Sequence, residues 1–317
     1  MGTEKGINVL SLFDGMSCGQ IALEKAGIKV NKYFASEIDK YGMIVSKANY
    51  PDTQQLGSVI DLTNEQLLSL PKIDLLMGGS PCQGFSMAGT RKGSTTKEGV
   101  EVTSLKQYLD LKKEGFEFNG QSYLFWEFVR VWKVLKPKYF FLENVRITKK
   151  WLPMFNEAMG VDPVLINSKL FSAQSRERFY WTNIPINELP KENNIVLKDI
   201  VQSVNDIENL FWYDQTFTYN GKDKNIEATL HINGHDILKR VCNINSKSAT
   251  LTCCRGGNLQ KKVLQDGKCR KLTPLEYERL QTVPDNYTNH VSNSQRYNML
   301  GNGWTVDVIA HIFKGLL

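Results

Sequence analysis

The sequence predicts an α/β fold with a doubly wound, mostly parallel sheet, accompanied by a smaller irregular domain. Three observations support this prediction. Strand-like and helix-like segments alternate through the first half of the chain, several strands end in polar or nucleophilic residues, and helical periodicity fades over residues 183–268. Such alternation is typical of parallel sheets with helices on both faces. We expect a large domain over residues 1–182, a small one over 183–268, and a C-terminal segment, 269–317, that returns to the first.

The predicted strands are short apolar segments, and most of them are followed by helices with apolar residues three or four positions apart. Gly27 ends the first helix, Pro51 stops the second and Pro137 stops the third. In chain order the elements are strand 7–13, helix 21–26, strand 30–36, helix 39–49, strand 73–77, helix 124–135, strand 139–142, and helices 273–282 and 304–316. Ligands of such sheets bind beyond the carboxyl ends of the strands, so the residues that follow each strand are the candidates for function.

The composition is that of a chain able to bury a core, with a mild excess of positive charge. The 317 residues are 41% apolar and 23% charged, which excludes wholesale disorder. The net charge of +6 suggests an anionic partner. The apolar runs are too short to cross a bilayer, and the first residues lack the apolar segment of a secretory signal. We therefore expect a cytoplasmic protein without membrane association.

The cysteines and histidines do not form a metal-binding pattern. The six cysteines contain no C-x-x-C pair, and reduced thiols are expected in this compartment. His231 and His235 are four residues apart, but the intervening Ile-Asn-Gly is poor helix material. We expect no metal site, and a cysteine in a loop of unusual chemistry becomes a candidate nucleophile.

The first loop, Phe13-Asp14-Gly15-x-x-x-Gly19, follows a strand and precedes a helix. Glu37 ends the next strand, where an acidic residue typically accepts hydrogen bonds from ribose hydroxyls. The pattern indicates an adenosine-containing cofactor, although it is not G-x-G-x-x-G. A tight turn followed by a surface glutamate is the alternative.

The second candidate position is Cys82, in Gly78-Gly79-Ser80-Pro81-Cys82-Gln83 at the end of the third strand. A thiolate is a strong nucleophile, and an open position after a proline-stiffened turn suits one. Catalytic and structural roles of this cysteine both remain open. The segment that follows, residues 83–122, is long for a loop in a compact domain, and loops of that length are usually functional.

Glu143 follows the fourth strand and should lie beside Cys82. It comes after Phe-Phe-Leu, and partial burial raises the pKa of a carboxyl group, which makes Glu143 a candidate general acid or base. The alternative is a helix N-cap formed by Glu143 and Asn144.

Two arginines, Arg176 and Arg178, stand on either side of Glu177 and precede an aromatic run. On one strand they would share a face, where two guanidiniums suit an anionic or carbonyl-rich ligand. A surface ion pair with Glu177 is the alternative.

Residues 236–271 form the most basic part of the chain, with nine Lys or Arg and two Asp or Glu. They include Thr250–Gly257, a β-like piece that ends in a glycine turn. Basic, glycine-containing loops that follow a phosphate backbone indicate DNA or RNA binding. A solvated basic face is the alternative.

Together, these residues and their order resemble the cytosine-5 DNA methyltransferase family over nearly the whole chain. A glycine loop alone would be weak support, whereas Pro-Cys-Gln, Glu-Asn-Val and Gln-x-Arg-x-Arg in this order are specific. The size is similar to that of bacterial or phage members without regulatory domains. The motifs are Phe13-Asp14-Gly15-x-x-x-Gly19, Gly79-Ser80-Pro81-Cys82-Gln83-Gly84-Phe85-Ser86, Glu143-Asn144-Val145, Gln174-x-Arg176-Glu177-Arg178-x-Tyr180, Arg270-Lys271-Leu272-Thr273-Pro274-x-Glu276 and Gly301-Asn302-Gly303-Trp304-Thr305-Val306.

The first loop departs from the form usual in bacterial members, Phe-Ala-Gly-x-Gly-Gly. Here Asp14 replaces alanine and Ser17-Cys18 replaces the first of the paired glycines, a form that resembles the animal de novo methyltransferase branch. Many members also carry Gly-Asp where this chain has Gly57-Ser58, and the family aspartate contacts the cofactor adenine amine. Either Ser58 or Asp61 is expected to replace it.

The resemblance implies methyl transfer from S-adenosylmethionine to carbon-5 of cytosine in a specific double-stranded DNA sequence. In that reaction the Cys82 thiolate adds to carbon-6, and Glu143 binds or protonates ring nitrogen 3. Arg178 holds the 2-carbonyl, with Arg176 supporting the loop. The cytosine must be flipped out of the duplex, at a cost of about a few kcal/mol. Residues 83–122 would close over it.

The resemblance also extends the set of candidate site residues. Pro81 belongs to the catalytic motif, and no metal is expected. The expected cofactor contacts are Phe13, Asp14, Gly15, Met16, Ser17, Cys18, Glu37, Ile38, Ser58, Leu124, Asn302, Trp304 and Thr305. The expected DNA contacts are Ser86, Arg91, Lys92, Thr252, Arg255, Gly256 and Gly257.

The same resemblance assigns the domains and the partners. Residues 1–182 become the catalytic and cofactor-binding domain, and 183–268 the target-recognition domain. We expect a monomer that acts on double-stranded DNA, with a cognate restriction endonuclease as a further candidate partner. The alternatives are a tRNA cytosine-5 methyltransferase, a nicotinamide oxidoreductase, which leaves Ser-Pro-Cys-Gln unexplained, and a non-enzymatic DNA-binding relative. The intact Cys82, Glu143 and Arg178 argue against the last.

Overall fold

A computed structural model describes residues 6–81, 84–85, 93–221, 224–254 and 258–317. The strands, in chain order, are β1 (Ile7–Leu12), β2 (Val30–Ser36), β3 (Gln54–Gln55), β4 (Leu75–Gly78), β5 (Tyr139–Val145), β6 (Val164–Asn167), β7 (Gln174–Ser175), β8 (Glu177–Thr182), β9 (Phe217–Tyr219), β10 (Ile226–Leu230), β11 (Arg240–Cys242), β12 (Ser248–Ala249), β13 (Lys262–Gln265) and β14 (Lys268–Lys271). The helices are α1 (Cys18–Lys25), α2 (Lys40–Asn49), α3 (Asn64–Ser69), α4 (Leu105–Lys113), α5 (Leu124–Leu135), α6 (Leu152–Met159), α7 (Asp236–Lys239), α8 (Pro274–Leu280), α9 (Asn293–Asn302) and α10 (Val306–Phe313).

The central sheet has the strand order β3-β2-β1-β4-β5-β8-β6 within the described residues. Strands β3, β2, β1, β4 and β5 run parallel to one another. Strands β8 and β6 join antiparallel at one edge. The predicted α/β, doubly wound and mostly parallel sheet is therefore confirmed. The strand order reverses on either side of β1, which is where such sheets bind ligands.

Side chains along each strand of this sheet alternate between its two faces, and both faces are covered by apolar clusters. Val9 packs in one apolar cluster with Ile21 of α1 and Ile309 of α10. Its neighbour Leu10 packs in a second cluster with Phe128 of α5. Full burial of a large aliphatic or aromatic side chain contributes roughly 1.5–3 kcal/mol, so these two layers hold the strand ends in fixed positions.

The predicted strands and helices are present, and they differ from the prediction mainly at their ends. The four predicted strands are β1, β2, β4 and β5, and the predicted helices are α1, α2, α5, α8 and α10. Strand β5 continues past Leu142 to Val145, so Glu143 lies within it. Helix α1 begins at Cys18, three residues before its predicted start at Ile21.

Residues 83–122 do not form one continuous loop, because their described part contains α4. Tyr108 of this helix is buried, and its hydroxyl donates a hydrogen bond to Glu127 on α5 at 2.5 Å. Lys112 lies 2.6 Å from the same carboxylate. The prediction of a long loop is wrong here, because α4 is a short helix of nine residues in which only Tyr108 is buried.

A second sheet, with the order β14-β13-β11-β10-β9, encloses a small apolar core of its own. Strand β14 reaches Lys271, past the predicted boundary at residue 268. The short strand β12, by contrast, pairs with β7 rather than with this sheet. The division of the chain into domains at residues 182 and 268 stays a prediction. Among the described residues, no helix combines the length and the apolar character needed to span a membrane.

Candidate active site

The first loop turns sharply after β1 and is supported from inside by Asp14. Phe13 and Ser17 have positive φ angles of 59° and 63°, which few residues other than glycine adopt. The buried Asp14 carboxylate accepts hydrogen bonds from Ser17 Oγ at 2.5 Å and from Tyr33 Oη at 2.6 Å. Burial raises the pKa of Asp14 to about 6, against the opposing effect of these hydrogen bonds. The Asp14 side chain therefore faces the protein interior, and only its backbone can face a ligand.

Glu37 joins the end of β2 to the first loop. Its Oε2 accepts a hydrogen bond from the backbone of Gly15 at 2.7 Å, and its Oε1 accepts from Ile38 and Asp39, each at 2.7 Å. A carboxylate oxygen has more than one lone pair, so Glu37 can still accept from a ribose hydroxyl. The side chain of Ile38 is 67% exposed beside it. A Cβ added to Gly15 would meet no atom within 4 Å, so the space above the loop is open.

The two candidates for the adenine contact lie in one turn near the end of β2. Ser36 Oγ donates to the carbonyl of Gly57 at 2.7 Å, which holds the chain before Ser58 in place. The backbone of Asp61 donates to the Ser58 carbonyl at 3.1 Å. Ser58 is partly buried and Asp61 is exposed.

Three other predicted cofactor residues pack between the first loop and neighbouring elements. The Met16 carbonyl accepts a hydrogen bond from Tyr287 at 2.7 Å. Cys18 is buried, with its Sγ 4.0 Å from the Trp304 carbonyl, and burial raises the pKa of this thiol to about 12. Leu124 is 8% exposed at the start of α5.

Cys82 and Gln83 lie outside the described residues, but the chain on both sides of them is anchored. On one side, Asn144 Nδ2 lies 3.3 Å from the carbonyl oxygen of Ser80 and 3.2 Å from its Oγ. On the other, the backbone of Gly84 donates to Ser122 Oγ at 2.8 Å. Pro81 is partly exposed. The segment that carries Cys82 is thus attached to β5, the strand that carries Glu143.

The carboxylate of Glu143 is held from two sides. Arg178 Nε lies 2.9 Å from its Oε1, and Trp304 Nε1 donates to its Oε2 at 3.1 Å. The register explains the first contact: Glu143 is opposite Tyr180 and Val145 is opposite Arg178, so Glu143 and Arg178 are diagonal neighbours on one face. The helix N-cap alternative is wrong, because Glu143 and Asn144 are buried within β5.

Arg176 and Arg178 have different partners, because the chain leaves the strand conformation at Arg176. The buried Arg176 donates to the carbonyls of Leu251, Gly301 and Gly303 at 2.8, 3.2 and 3.1 Å. Its guanidinium thus joins backbone segments instead of forming a ligand-binding face with Arg178. The surface ion pair that was the alternative is also not formed, since Glu177 pairs with Arg146.

The C-terminal motif lies between the first loop and Glu143. Asn302 is exposed and Trp304 is partly buried. Thr305 is buried, and its hydroxyl donates to Gln281 Oε1 at 2.9 Å. This segment therefore contacts both groups of candidate residues, those at the ends of β1 and β2 and those at the end of β5.

A sequence model of the family described as "C-5 cytosine-specific DNA methylase" matches residues 7–317. The chain belongs to this family. It is a C-5 cytosine DNA methyltransferase, and the tRNA alternative is not favoured. Methylases of this family use S-adenosylmethionine, and DNA is their substrate.

Known relatives of this cytosine methylase match along its whole length. The type II methyltransferase M.HhaI of Haemophilus parahaemolyticus is 27% identical, over 97% of this chain and 93% of the relative. The type II methyltransferase M1.ScrFI of Lactococcus lactis subsp. cremoris is 28% identical, over 98% of this chain and 77% of the relative. Among solved structures, the Entamoeba histolytica methyltransferase EhMeth superposes with a TM-score of 0.68 at 17% identity, covering 99% of this chain and 100% of that one. The last similarity supports the fold.

Most of the methylase's predicted DNA contacts lie outside the described residues, namely Ser86, Arg91, Lys92, Arg255, Gly256 and Gly257. Thr252 is described and is exposed. Its backbone lies directly against α9: a Cβ added to Gly301 would overlap the Thr252 carbonyl oxygen, so glycine is required for this approach. Within the described part of Thr250–Gly257, Thr252 and Cys253 are exposed and Cys254 is buried.

The basic character of residues 236–271 is partly internal, which the sequence did not indicate. Arg270 is fully buried and pairs with Glu276 at 2.7 Å. Lys262 is buried and donates to the carbonyls of Asn258 and Gln260, and its burial lowers the pKa of Lys262 to about 8. Lys247 donates to several carbonyls as well. The charge count of this stretch thus overstates the charge that can face DNA.

Sequence reasoning missed several residues that support the methylase site. Tyr33 supports Asp14, and Asn144 holds Ser80. Gln281 accepts from Thr305 and donates to the Gly303 carbonyl at 3.0 Å. Each of them is distant in sequence from the residue that it holds, and only the Glu-Asn pair gave a signal. Among the described residues, no cluster of three His, Cys, Asp or Glu side chains has the arrangement of a metal site.

Proposed function

We propose that this enzyme methylates carbon-5 of cytosine within a specific double-stranded DNA sequence, with Cys82 as the nucleophile and Glu143 and Arg178 as the residues that bind the flipped base. The observation that supports this assignment best is the arrangement at the end of β5. There the Glu143 carboxylate meets Arg178 Nε at 2.9 Å, and the adjacent Asn144 holds Ser80, two residues before Cys82. Nucleophile and base-binding residues are thereby attached to one strand.

The ends of β1 and β2 fit S-adenosylmethionine. Glu37 presents a carboxylate suited to ribose hydroxyls, Ile38 presents an exposed apolar side chain suited to the adenine ring, and the space above Gly15 is open. S-adenosylmethionine supplies an electrophilic methyl group. Phe13, Leu124 and the segment Asn302–Thr305 complete the proposed contacts, and Ser58 or Asp61 would accept from the adenine amine.

The chemistry at the cytosine follows from the residue types. The Cys82 thiolate adds to carbon-6 and makes carbon-5 nucleophilic. Glu143 binds or protonates ring nitrogen 3, which favours that addition, and Arg178 donates to the 2-carbonyl. A guanidinium has five N–H donors, and the contacts to Glu143 and to the Glu177 carbonyl use Nε and Nη1. After methylation a base removes the carbon-5 proton and the thiolate leaves.

Access to the base requires that the target cytosine leaves the duplex stack. We propose that the chain after Cys82, within residues 83–122, covers the flipped base and excludes water. Helix α4 lies in this segment and is attached to α5 through Glu127. The part that closes would therefore precede α4.

Sequence recognition is assigned to residues 183–268, with Thr250–Gly257 as the base-contacting segment. Thr252 and Cys253 are exposed there. Arg255 suits a bidentate contact to guanine, and a phosphate contact is the alternative. A cognate restriction endonuclease is a further candidate partner, since the relatives are named type II methyltransferases. A monomer in the cytoplasm completes the proposal.

Trapping with modified DNA tests the assignment of the nucleophile. Duplex DNA with 5-fluorocytosine at the methylated position keeps the covalent link, because fluorine cannot be removed as a proton. The parent enzyme with S-adenosylmethionine should form a stable adduct that peptide mapping places at Cys82. Cys82→Ala should form none and lose turnover, yet retain DNA binding. The matched control is Cys269→Ala, which removes a free thiol buried in the small core, outside the proposed base-contacting segment, and should keep the adduct. An adduct mapped to another cysteine would contradict the proposal.

A further inference from the structure

Trp304 lies closer to the base-binding side of the site than its predicted role as a cofactor contact implies. Its indole Nε1 donates to Glu143 Oε2 at 3.1 Å, while Arg178 lies 2.9 Å from Oε1 of the same carboxylate. The carboxylate is thus held between two N–H donors that come from separate parts of the chain, β8 and the segment after α9.

The backbone around Trp304 is fixed by neighbours that do not touch Glu143. The carbonyl of the preceding Gly303 accepts hydrogen bonds from Arg176 at 3.1 Å and from Gln281 at 3.0 Å. The indole ring meets the edge of Phe141, with centroids 5.3 Å apart at an angle of 71°. These contacts therefore fix the position of the indole ring and of its N–H group.

Gly79 gives this hydrogen bond its space. A Cβ added there would lie 2.9 Å from Trp304 Nε1 and 3.0 Å from Glu143 Oε2, close to both atoms of the bond. The glycine at position 79, in the segment leading to Cys82, is thus explained by the lack of space for a larger side chain and not by the backbone conformation.

We propose that Trp304 is a positioning residue for Glu143: its indole N–H fixes the carboxyl group so that a free oxygen position faces ring nitrogen 3 of the flipped cytosine, gives its proton to that nitrogen as Cys82 adds to carbon-6, and then accepts a hydrogen bond from the resulting N–H. The inference rests on the proposed role of Glu143. The indole N–H donates throughout and transfers no proton. A carboxylate has about four lone-pair sites, so the contacts to Trp304 and Arg178 leave acceptor capacity for the base. The segment Gly301–Thr305 then serves the cofactor through its backbone and the base through one side chain.

The central test is Trp304→Phe, which removes the donor and keeps an aromatic ring. The single-turnover rate of methyl transfer, at saturating DNA and S-adenosylmethionine, should fall about tenfold or more, the scale of a hydrogen bond to a charged group. Calorimetry should give a dissociation constant for S-adenosylmethionine within about twofold of that of the parent enzyme. The control is Trp132→Phe, the same change on α5, where the ring packs on Phe140. It should leave both quantities unchanged.

A double-mutant cycle separates positioning from an independent effect. In a Glu143→Ala background, Trp304→Phe should slow methyl transfer no further, because its acceptor is already gone. Equal slowing in both backgrounds would overturn the inference, as would a weakened cofactor affinity with a normal saturated rate. A Glu143→Ala enzyme with parental rates would instead contradict the proposed function.

Gly79→Ala gives a second route if Trp304→Phe lowers the melting temperature enough to prevent the measurement. The added methyl should push the indole away from the carboxylate and slow single-turnover methylation about tenfold. A folded Gly79→Ala enzyme with the parental rate would overturn the inference.

Discussion

Asp14 and Glu143 are both buried carboxylates just beyond apolar strand segments, yet their partners differ in kind. Asp14 is held by the hydroxyls of Ser17 and Tyr33, and a hydroxyl can either donate or accept. Glu143 is held by the guanidinium of Arg178 and the indole of Trp304, which can only donate. The hydroxyls around Asp14 can therefore adapt as donors or acceptors, whereas both partners of Glu143 donate hydrogen bonds to it. The chemistry of the partners distinguishes a loop support from the proposed base-binding group.

The largest expected effect comes from Glu143→Gln, which keeps the shape and removes the charge. The rate of methyl transfer should fall about 10²-fold or more, the usual scale for a positioned acid or base group. Single-turnover kinetics measure this directly, with S-adenosylmethionine affinity as the control, because the proposed cofactor residues at β1 and β2 are untouched. A variant with the parental single-turnover rate would show that the two carboxylates do not differ as described.

The second prediction concerns Asp14 and is measured as protein stability, not as a rate of catalysis. The change is Asp14→Asn. Folding raises the pKa of Asp14 from 3.8 to about 6, so this group contributes stability below pH 3.8 that is lost as the pH rises through 6. The asparagine variant does not titrate here. Its free energy of unfolding relative to the parent should therefore increase by about 2 kcal/mol between pH 4 and pH 7.

Urea unfolding at the two pH values measures this difference. The matched control is Asp52→Asn, which removes a carboxylate from an exposed position. A relative stability of Asp14→Asn that does not change with pH would remove the basis of the comparison.

The smallest effect is expected for Tyr33→Phe, which deletes one hydroxyl donor to Asp14. The Tyr33 hydrogen bond favours the charged form of Asp14 and lowers its pKa, so its loss matters most when the carboxylate is ionised. The cost in the free energy of unfolding should be about 1 kcal/mol larger at pH 8 than at pH 5. Urea unfolding of parent and variant at pH 5 and pH 8 measures this difference, and an equal cost at both pH values would place the role of this hydroxyl outside the Asp14 network.

The sequence predicts the strands and the residues at their ends because both depend on local order. The apolar strand segments and Asp14, Glu37 and Glu143 are read directly from short windows. The contact between Glu143 and Trp304 is not predictable in this way, since the two residues are 161 positions apart and meet only through packing. Resemblance placed Trp304 near the cofactor, but resemblance alone did not indicate where its side chain points.

Charge is the property that the sequence described least well. Counting over residues 236–271 treats every lysine and arginine as available to DNA. Arg270 and Lys262 are instead buried among acceptors, because this small sheet has a limited apolar core and uses paired cations within it. Helix α4 was not predicted for a related reason. Most of its residues are polar or charged, and Tyr108 is the one residue of the helix that is buried.

The pairing of β12 with β7 has a consequence for engineering new specificities. Within the predicted recognition domain, Ser248 and Ala249 pair with Gln174 and Ser175, and the Thr250 hydroxyl donates to the Ser175 carbonyl at 2.8 Å. The following backbone fits against Gly301. A chimaera that replaces this stretch with that of a relative would alter the support of the Arg176 loop together with the DNA contacts. A design that changes specificity should accordingly keep the host enzyme's own residues 248–251 and vary the exposed side chains of Thr252 and Cys253.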